Sequence, residues 1–95
     1  MMIKCYRERP LAVRAIQYDG TKECFERIKS WVESFNKNLN LGLTIKRHNP
    51  FIQLITEEKE TIGIGTKGYY VVYDFRVFSI WSSDDFENKY KEEEE

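Results

Sequence analysis

Histidine is nearly absent from this chain, and cysteine and proline are scarce: His48 stands alone, with two Cys and two Pro among 95 residues. A lone imidazole gives no ligand pair at the short spacings that metal sites use, and no Ser or Cys nucleophile motif accompanies it. His48, beside Asn49-Pro50 at an expected strand end, therefore reads as a structural or surface residue. Cys5 and Cys24 are too few and too far apart for a zinc knuckle or a redox pair, which leaves reduced core thiols. No apolar run approaches the roughly 18 residues of a membrane span. The start Met1-Met2-Ile3-Lys4 lacks the apolar stretch of a secretory signal, so the expected location is cytoplasmic, with no membrane partner. Net charge is missing as well. Fifteen Lys and Arg against sixteen Asp and Glu leave −1, with a pI near 5.9, which gives nucleic acid no overall field to follow.

Apolar and aromatic residues are there in quantity, at 41% and 15%. That is enough for one small core in a domain that hides roughly 60–70% of its unfolded surface. A single domain over 1–95 is expected, with 92–95 a frayed acidic tail. Charge is uneven along the chain. Lys4, Arg7, Arg9 and Arg14 face Glu8 alone near the start, whereas Asp84, Asp85, Glu87 and Glu92 to Glu95 crowd the end. Such runs are usually solvated, but a tail of this kind can also dock on a basic partner.

Periodicity places the elements. Ile3 to Tyr18 reads as extended chain interrupted at Pro10, so that the following strand begins there or lies at a sheet edge. Asp19-Gly20 turns the chain, and Thr21 caps a helix. Its apolar stripe is Cys24, Phe25, Ile28, Trp31, Val32 and Phe35, and Asn36-Lys37-Asn38 ends it, Asn being a residue that tolerates a left-handed stop. Strands follow at Leu43 to Arg47, Phe51 to Thr56, Thr61 to Ile64, Tyr69 to Tyr73 and Val77 to Trp81. Asn49-Pro50, Glu57 to Glu60, Gly65 to Gly68 and Asp74 are the breaks between them. Ser82 with Asp85 makes a capping box for a short helix that carries Phe86 and Tyr90. The expected fold class is α+β: a mainly antiparallel sheet of about five strands on one amphipathic helix, closed by a short C-terminal helix, in the order β-α-β-β-β-β-α.

Two patterns invite a chemical reading. Gly63-Ile64-Gly65-Thr66-Lys67-Gly68 has glycines at phosphate-cradle spacing, but a cradle must open a helix and here Tyr69 to Tyr73 continues as strand. The glycines read instead as turn and bulge positions. The acid pairs Asp84-Asp85 and Glu57-Glu58 have no visible burial or charge partner to perturb them. No catalytic residue, cofactor or metal is expected, and the chain reads as a non-enzyme. Aromatic residues are the exception to this blandness. Alternate strand positions face opposite sides, so a one-layer core buries only one set among Tyr69, Tyr70, Tyr73, Phe75, Phe78 and Trp81. The others are left exposed as protein-binding contacts unless the short helix or a second copy covers them. The candidate protein-binding residues are Tyr69, Tyr73, Phe75 and Trp81, with Asp84 and Asp85 from the acidic end.

Two segments carry a resemblance. Tyr6-Arg7-Glu8-Arg9-Pro10 leading to Ala15-Ile16-Gln17-Tyr18-Asp19-Gly20 is similar to the opening of a group of small phage and prophage proteins of uncharacterised role, in which a basic-Pro start precedes a strand ending A-x-Q-[WY]-x-G. Gly68 to Tyr90 resembles the closing pattern of that group: a glycine, an aromatic strand, a return strand, then Phe and Tyr on a terminal helix. Members often place Gly-Asp before the aromatic where this chain has Gly68-Tyr69. The resemblance covers under half of the chain and implies a phage setting without an activity, a cofactor or a catalytic residue. The expected function is a phage- or prophage-encoded binding module for a host or phage protein, such as an inhibitor of a CRISPR nuclease or another defence enzyme. The alternative is an assembly accessory acting as a homodimer or higher homo-oligomer. A nucleic-acid binder using Lys4, Arg7, Arg9 and Arg14 ranks third.

Overall fold

A computed structural model describes residues 4–7 and 12–92, with side chains over 13–90. The chain runs through strands β1 (Lys4–Arg7) and β2 (Ala12–Gln17), helix α1 (Lys22–Phe35), and strands β3 (Leu39–Lys46), β4 (Asn49–Thr56), β5 (Thr61–Thr66), β6 (Tyr70–Tyr73) and β7 (Phe78–Trp81). It ends in helix α2 (Ser83–Lys89) and strand β8 (Lys91–Glu92). The α+β class holds, with antiparallel pairing throughout, but the single sheet does not. The strands divide into a larger sheet ordered β7-β6-β2-β1-β8 and a smaller one ordered β3-β4-β5. Glu92 is correspondingly a strand residue in register with Tyr6, not part of a frayed end; residues 93–95 lie outside the described part.

Local chemistry accounts for the punctuation. The Thr21 hydroxyl accepts from the Cys24 N–H at 3.1 Å, and Asp19 Oδ1 in turn accepts from the Thr21 N–H and hydroxyl, a tight entry into α1. The helix leaves through Asn36 at φ −145°, so the left-handed stop expected there is replaced by an extended exit. The β3–β4 connection is not at Asn49-Pro50 but one step earlier. Arg47 and His48 form a two-residue turn with both φ positive, at 53° and 66°. Pro50 then sits inside β4 opposite Ile45, which in this register turns its missing N–H toward β5, whose pairing starts only at Phe51. Pro10 lies outside the described residues, and β2 begins at Ala12 as an inner strand between β1 and β6 rather than an edge.

The division into two sheets explains where the aromatic residues go. One buried cluster joins α1 (Ile28, Trp31, Val32) to Leu41, Ile52 and Leu54 of the small sheet and to Ile16, Val71 and Phe78 of the large one. A second, smaller cluster lies on the other face of the large sheet, where Val13, Ala15, Tyr70 and Val72 meet Phe86 and Tyr90 at α2. Strand β6 is thus covered on both faces, with Tyr70, Val71 and Val72 all buried. The one-layer core expected from the sequence is corrected to two layers, and α2 is the cover.

The glycine-rich run joins the two sheets. A Cβ on Gly65 would stand 2.6 Å from Ile80 Cγ2 and 2.9 Å from Tyr69 Cβ, and one on Gly63 would stand 3.3 Å from Ile80. Both glycines therefore let β7 lie close against β5. Gly68, at φ +97°, occupies the turn in which the Tyr69 N–H donates to the Thr66 carbonyl. The reading as turn positions fits Gly68, while Gly63 and Gly65 are close-approach positions inside a strand.

Candidate functional site

The β6–β7 connection is a tight reversal with a conformational cost built into it. Asp74 closes it: its N–H donates to the Val77 carbonyl at 3.3 Å, and its Oδ1 accepts from the N–H groups of Val77 at 2.8 Å and Arg76 at 2.9 Å. These bonds, that of Val77 foremost, hold the Asp74 carboxyl below its ordinary value. Between Asp74 and Arg76 stands Phe75 at φ +71°, the left-handed region where glycine is the usual occupant of a two-residue hairpin. A bulky side chain held there costs about 1–2 kcal/mol. Phe75 is nevertheless 52% exposed, so its partial burial offsets only about 1 kcal/mol of that cost and leaves half of the ring in solvent.

Around Phe75 lies a continuous aromatic surface. Tyr73 is its centre, with ring centroids 4.6 Å from Phe78, 5.2 Å from Phe35 and 5.3 Å from Phe75. Phe35, the last residue of α1, is 52% exposed, whereas Cys24, Ile28, Trp31 and Val32 of the same stripe are buried. Val77 adds exposed aliphatic surface. Two cations belong to this end: Arg76 is exposed, and the Arg14 guanidinium lies 5.7 Å from the Phe75 ring centroid. The result is an apolar surface with basic residues, at the end of the large sheet and on its α1 side.

The six residues singled out from sequence are not one site. Tyr73 and Phe75 meet here. Tyr69 is half-buried at the other end of β6, against the Gly65 position, and its carbonyl accepts from the Tyr18 N–H. Trp81 belongs to the α2 side, edge-on to Tyr90 at 5.7 Å, with Nε1 donating to Ser79 Oγ at 2.9 Å and Lys89 Nζ 5.0 Å from its ring. Asp84 and Asp85 are exposed in the first turn of α2, whose Ser82 cap accepts from the Asp85 N–H at 3.3 Å. What sequence reading missed are Phe35, assigned to the core stripe, and Arg14, assigned to a basic run. The run itself is mostly beyond view: Arg9 and the side chains of Lys4 and Arg7 lie outside the described residues.

His48 is exposed in the β3–β4 turn. The buried Cys24 thiol donates to the Gln17 carbonyl at 3.4 Å, and burial raises its pKa, which suppresses the thiolate a nucleophile would need. Among the described residues, no group of three or more His, Cys, Asp or Glu converges as a metal site, and no helix is long and apolar enough to cross a membrane. Comparisons with protein-family models, curated proteins and solved structures find no match to this chain.

Proposed function

We propose that this protein is a non-enzymatic binding module that docks a protein partner through its aromatic end: Phe35, Tyr73, Phe75 and Val77 with Arg14 and Arg76. The observation that carries this reading is Phe75, a large aromatic side chain kept half-exposed in a backbone conformation that favours glycine. Strain of this kind concentrates at ligand contacts, where the side chain is retained for what it touches. Aromatic residues and arginine are also the residue types enriched at the energetic centres of protein interfaces. In the phage setting implied by the two resembling segments, the partner is a host or phage protein, a bacterial defence enzyme such as a CRISPR nuclease being one such target.

The test uses capture of partners from host lysate by the full chain, with Phe75→Gly and Phe35→Ala as variants. Phe75→Gly removes the ring and relieves the backbone, so it is expected to lose the partner while staying folded. A partner bound equally by the wild type and both variants would end this reading. Parallel binding to duplex and single-stranded DNA over a salt series checks the nucleic-acid alternative, which requires a steep fall of affinity with salt.

A further inference from the structure

The small sheet has a second face, opposite its core side, that no element of the described chain covers. Leu41, Ile52 and Leu54 point into the core, so the alternate positions point outward. Gly42, Gln53 and Ile55 share that outward face, because a Cβ on Gly42 would meet Ile55 Cδ1 and Gln53 Oε1, and Thr44 Oγ1 bonds Gln53 Oε1 at 2.9 Å. The register adds Phe51 from β4 and Ile64 from β5, the latter 54% exposed. Ile62, the extra residue where the β4–β5 register slips, is 53% exposed. An aliphatic and aromatic strip therefore runs along the face, through Phe51, Ile64 and Ile55.

The ends of this face carry opposite charge. At the β3–β4 turn stand the exposed Lys46 and Arg47, lining a shallow cleft with Asn49, Phe51 and Thr66. At the β4–β5 turn stand Glu57, Glu58 and Glu60 against Lys59, all exposed. Gln53 lies between them on β4, six residues after Arg47 and five before Glu58. The basic turn also comes at a conformational cost, since Arg47 and His48 both hold positive φ where Asn-Gly is preferred.

We infer that this face is a homodimer interface, in which a second copy packs its own small sheet face to face and antiparallel about a two-fold axis near Gln53. Two copies related in this way set Phe51 against Ile55 of the partner and Ile64, level with Gln53, against its own copy, as sheets in a sandwich do. The antiparallel arrangement also brings each acidic turn to the partner's basic cleft. A two-fold axis along the strands would instead oppose like charges, so the charge pattern selects one of the two symmetric arrangements. Three strands of this length span about 15 by 25 Å, roughly 750 Å² over both copies and below the standard interface size, which makes the dimer a weak one.

Sedimentation equilibrium of the full chain from about 10 to 500 μM, the range expected for a weak interface, tests the inference. The wild type is expected to shift from monomer to dimer across that range. Ile64→Glu is expected to remain monomeric with an unchanged far-UV circular dichroism spectrum, the side chain being already exposed. Reversing the basic end (Lys46→Glu with Arg47→Glu) should weaken association at least tenfold, and adding Glu57→Lys with Glu58→Lys should restore it. A wild type that stays monomeric throughout, a dimer indifferent to Ile64→Glu, or a charge reversal without rescue would each overturn the inference. Phe75→Gly should leave the dimer intact, so failure of the partner-binding reading and failure of this one give different results.

Discussion

At the scale of single residues, Phe75 separates stability from function. In Phe75→Ala the backbone strain stays while the contacts with Tyr73 and Arg14 go; in Phe75→Gly the strain goes too. The glycine variant is therefore expected to be more stable than the alanine variant by about 1 kcal/mol, read from urea midpoints at constant slope. Equal midpoints would show that the positive φ carries no cost. Neighbouring Asp74 supplies a pH signature. Its carboxyl is held below the ordinary 3.8 by the Val77 N–H first, then by the backbone and charge of Arg76. A carboxyl depressed in the folded state contributes stability above its unfolded value, and that contribution is lost as pH falls through the folded value. Asp74→Asn keeps an Oδ1 acceptor without the titration, so its melting temperature should fall less than that of the wild type between neutral pH and about pH 3. Asp19 is lowered in the same direction, chiefly by the Thr21 hydroxyl, and it is common to both proteins, so their difference isolates Asp74. Little of this was legible in the sequence. The string Asp74-Phe75-Arg76 marks a bend, but nothing in it says that the aromatic takes the glycine position.

Element by element, the sequence is a good guide to helices and a poorer one to how strands are partitioned. Both helix caps, Thr21 and Ser82, and the stripe Cys24, Ile28, Trp31 and Val32 are found where residue type and spacing put them, because these are interactions within one or two turns. Sheet membership depends on contacts between distant segments. The clue that β5 and β7 press together without pairing lies in Gly63 and Gly65, whose spacing also suits a bulge or a phosphate loop. Only the Ile80 side chain above them decides between those readings. The β3–β4 turn was misplaced for a related reason: Pro50 looks like a break, yet in this register its lack of an N–H costs nothing. The contact at Gly65 gives a direct prediction. Gly65→Ala should destabilise by about 1–3 kcal/mol, the range for overpacking a fitted site, and Gly63→Ala by less. Ile80→Ala should recover part of the loss at Gly65 but not all, since Tyr69 Cβ also stands in the way. Denaturation of the four-protein cycle measures the coupling, and strict additivity would mean that the two strands do not touch there.

For the whole molecule, the large sheet is a wall between two unequal cores. Eleven buried residues lie in the cluster shared with α1 and the small sheet, and six in the cluster at α2. Helix α2 has only seven residues, far too few to hold helical form without its contacts. Those contacts are dominated by the fully buried Phe86, stacked 4.2 Å from Tyr70 and 4.9 Å from Tyr90. Phe86→Ala is expected to cost about 3–5 kcal/mol, a large share of the roughly 5–15 kcal/mol that holds a domain of this size. The loss should not spread evenly. Amides of α2 are expected to lose hydrogen-exchange protection first, through local opening of the smaller core, while those of β4 and α1 still require global unfolding. An equal loss in both regions would show one cooperative unit and remove the distinction between the cores. The aromatic end lies on the α1 side of the wall, where Tyr73 packs against the larger cluster. At a temperature below its melting transition, Phe86→Ala should therefore retain the partner that Phe75→Gly loses. The aromatics that hold α2 in place, Tyr70, Phe86 and Tyr90, and the exposed Phe35 and Phe75 thus lie on opposite faces of one sheet, an allocation that strand alternation allows but that only the second layer makes stable.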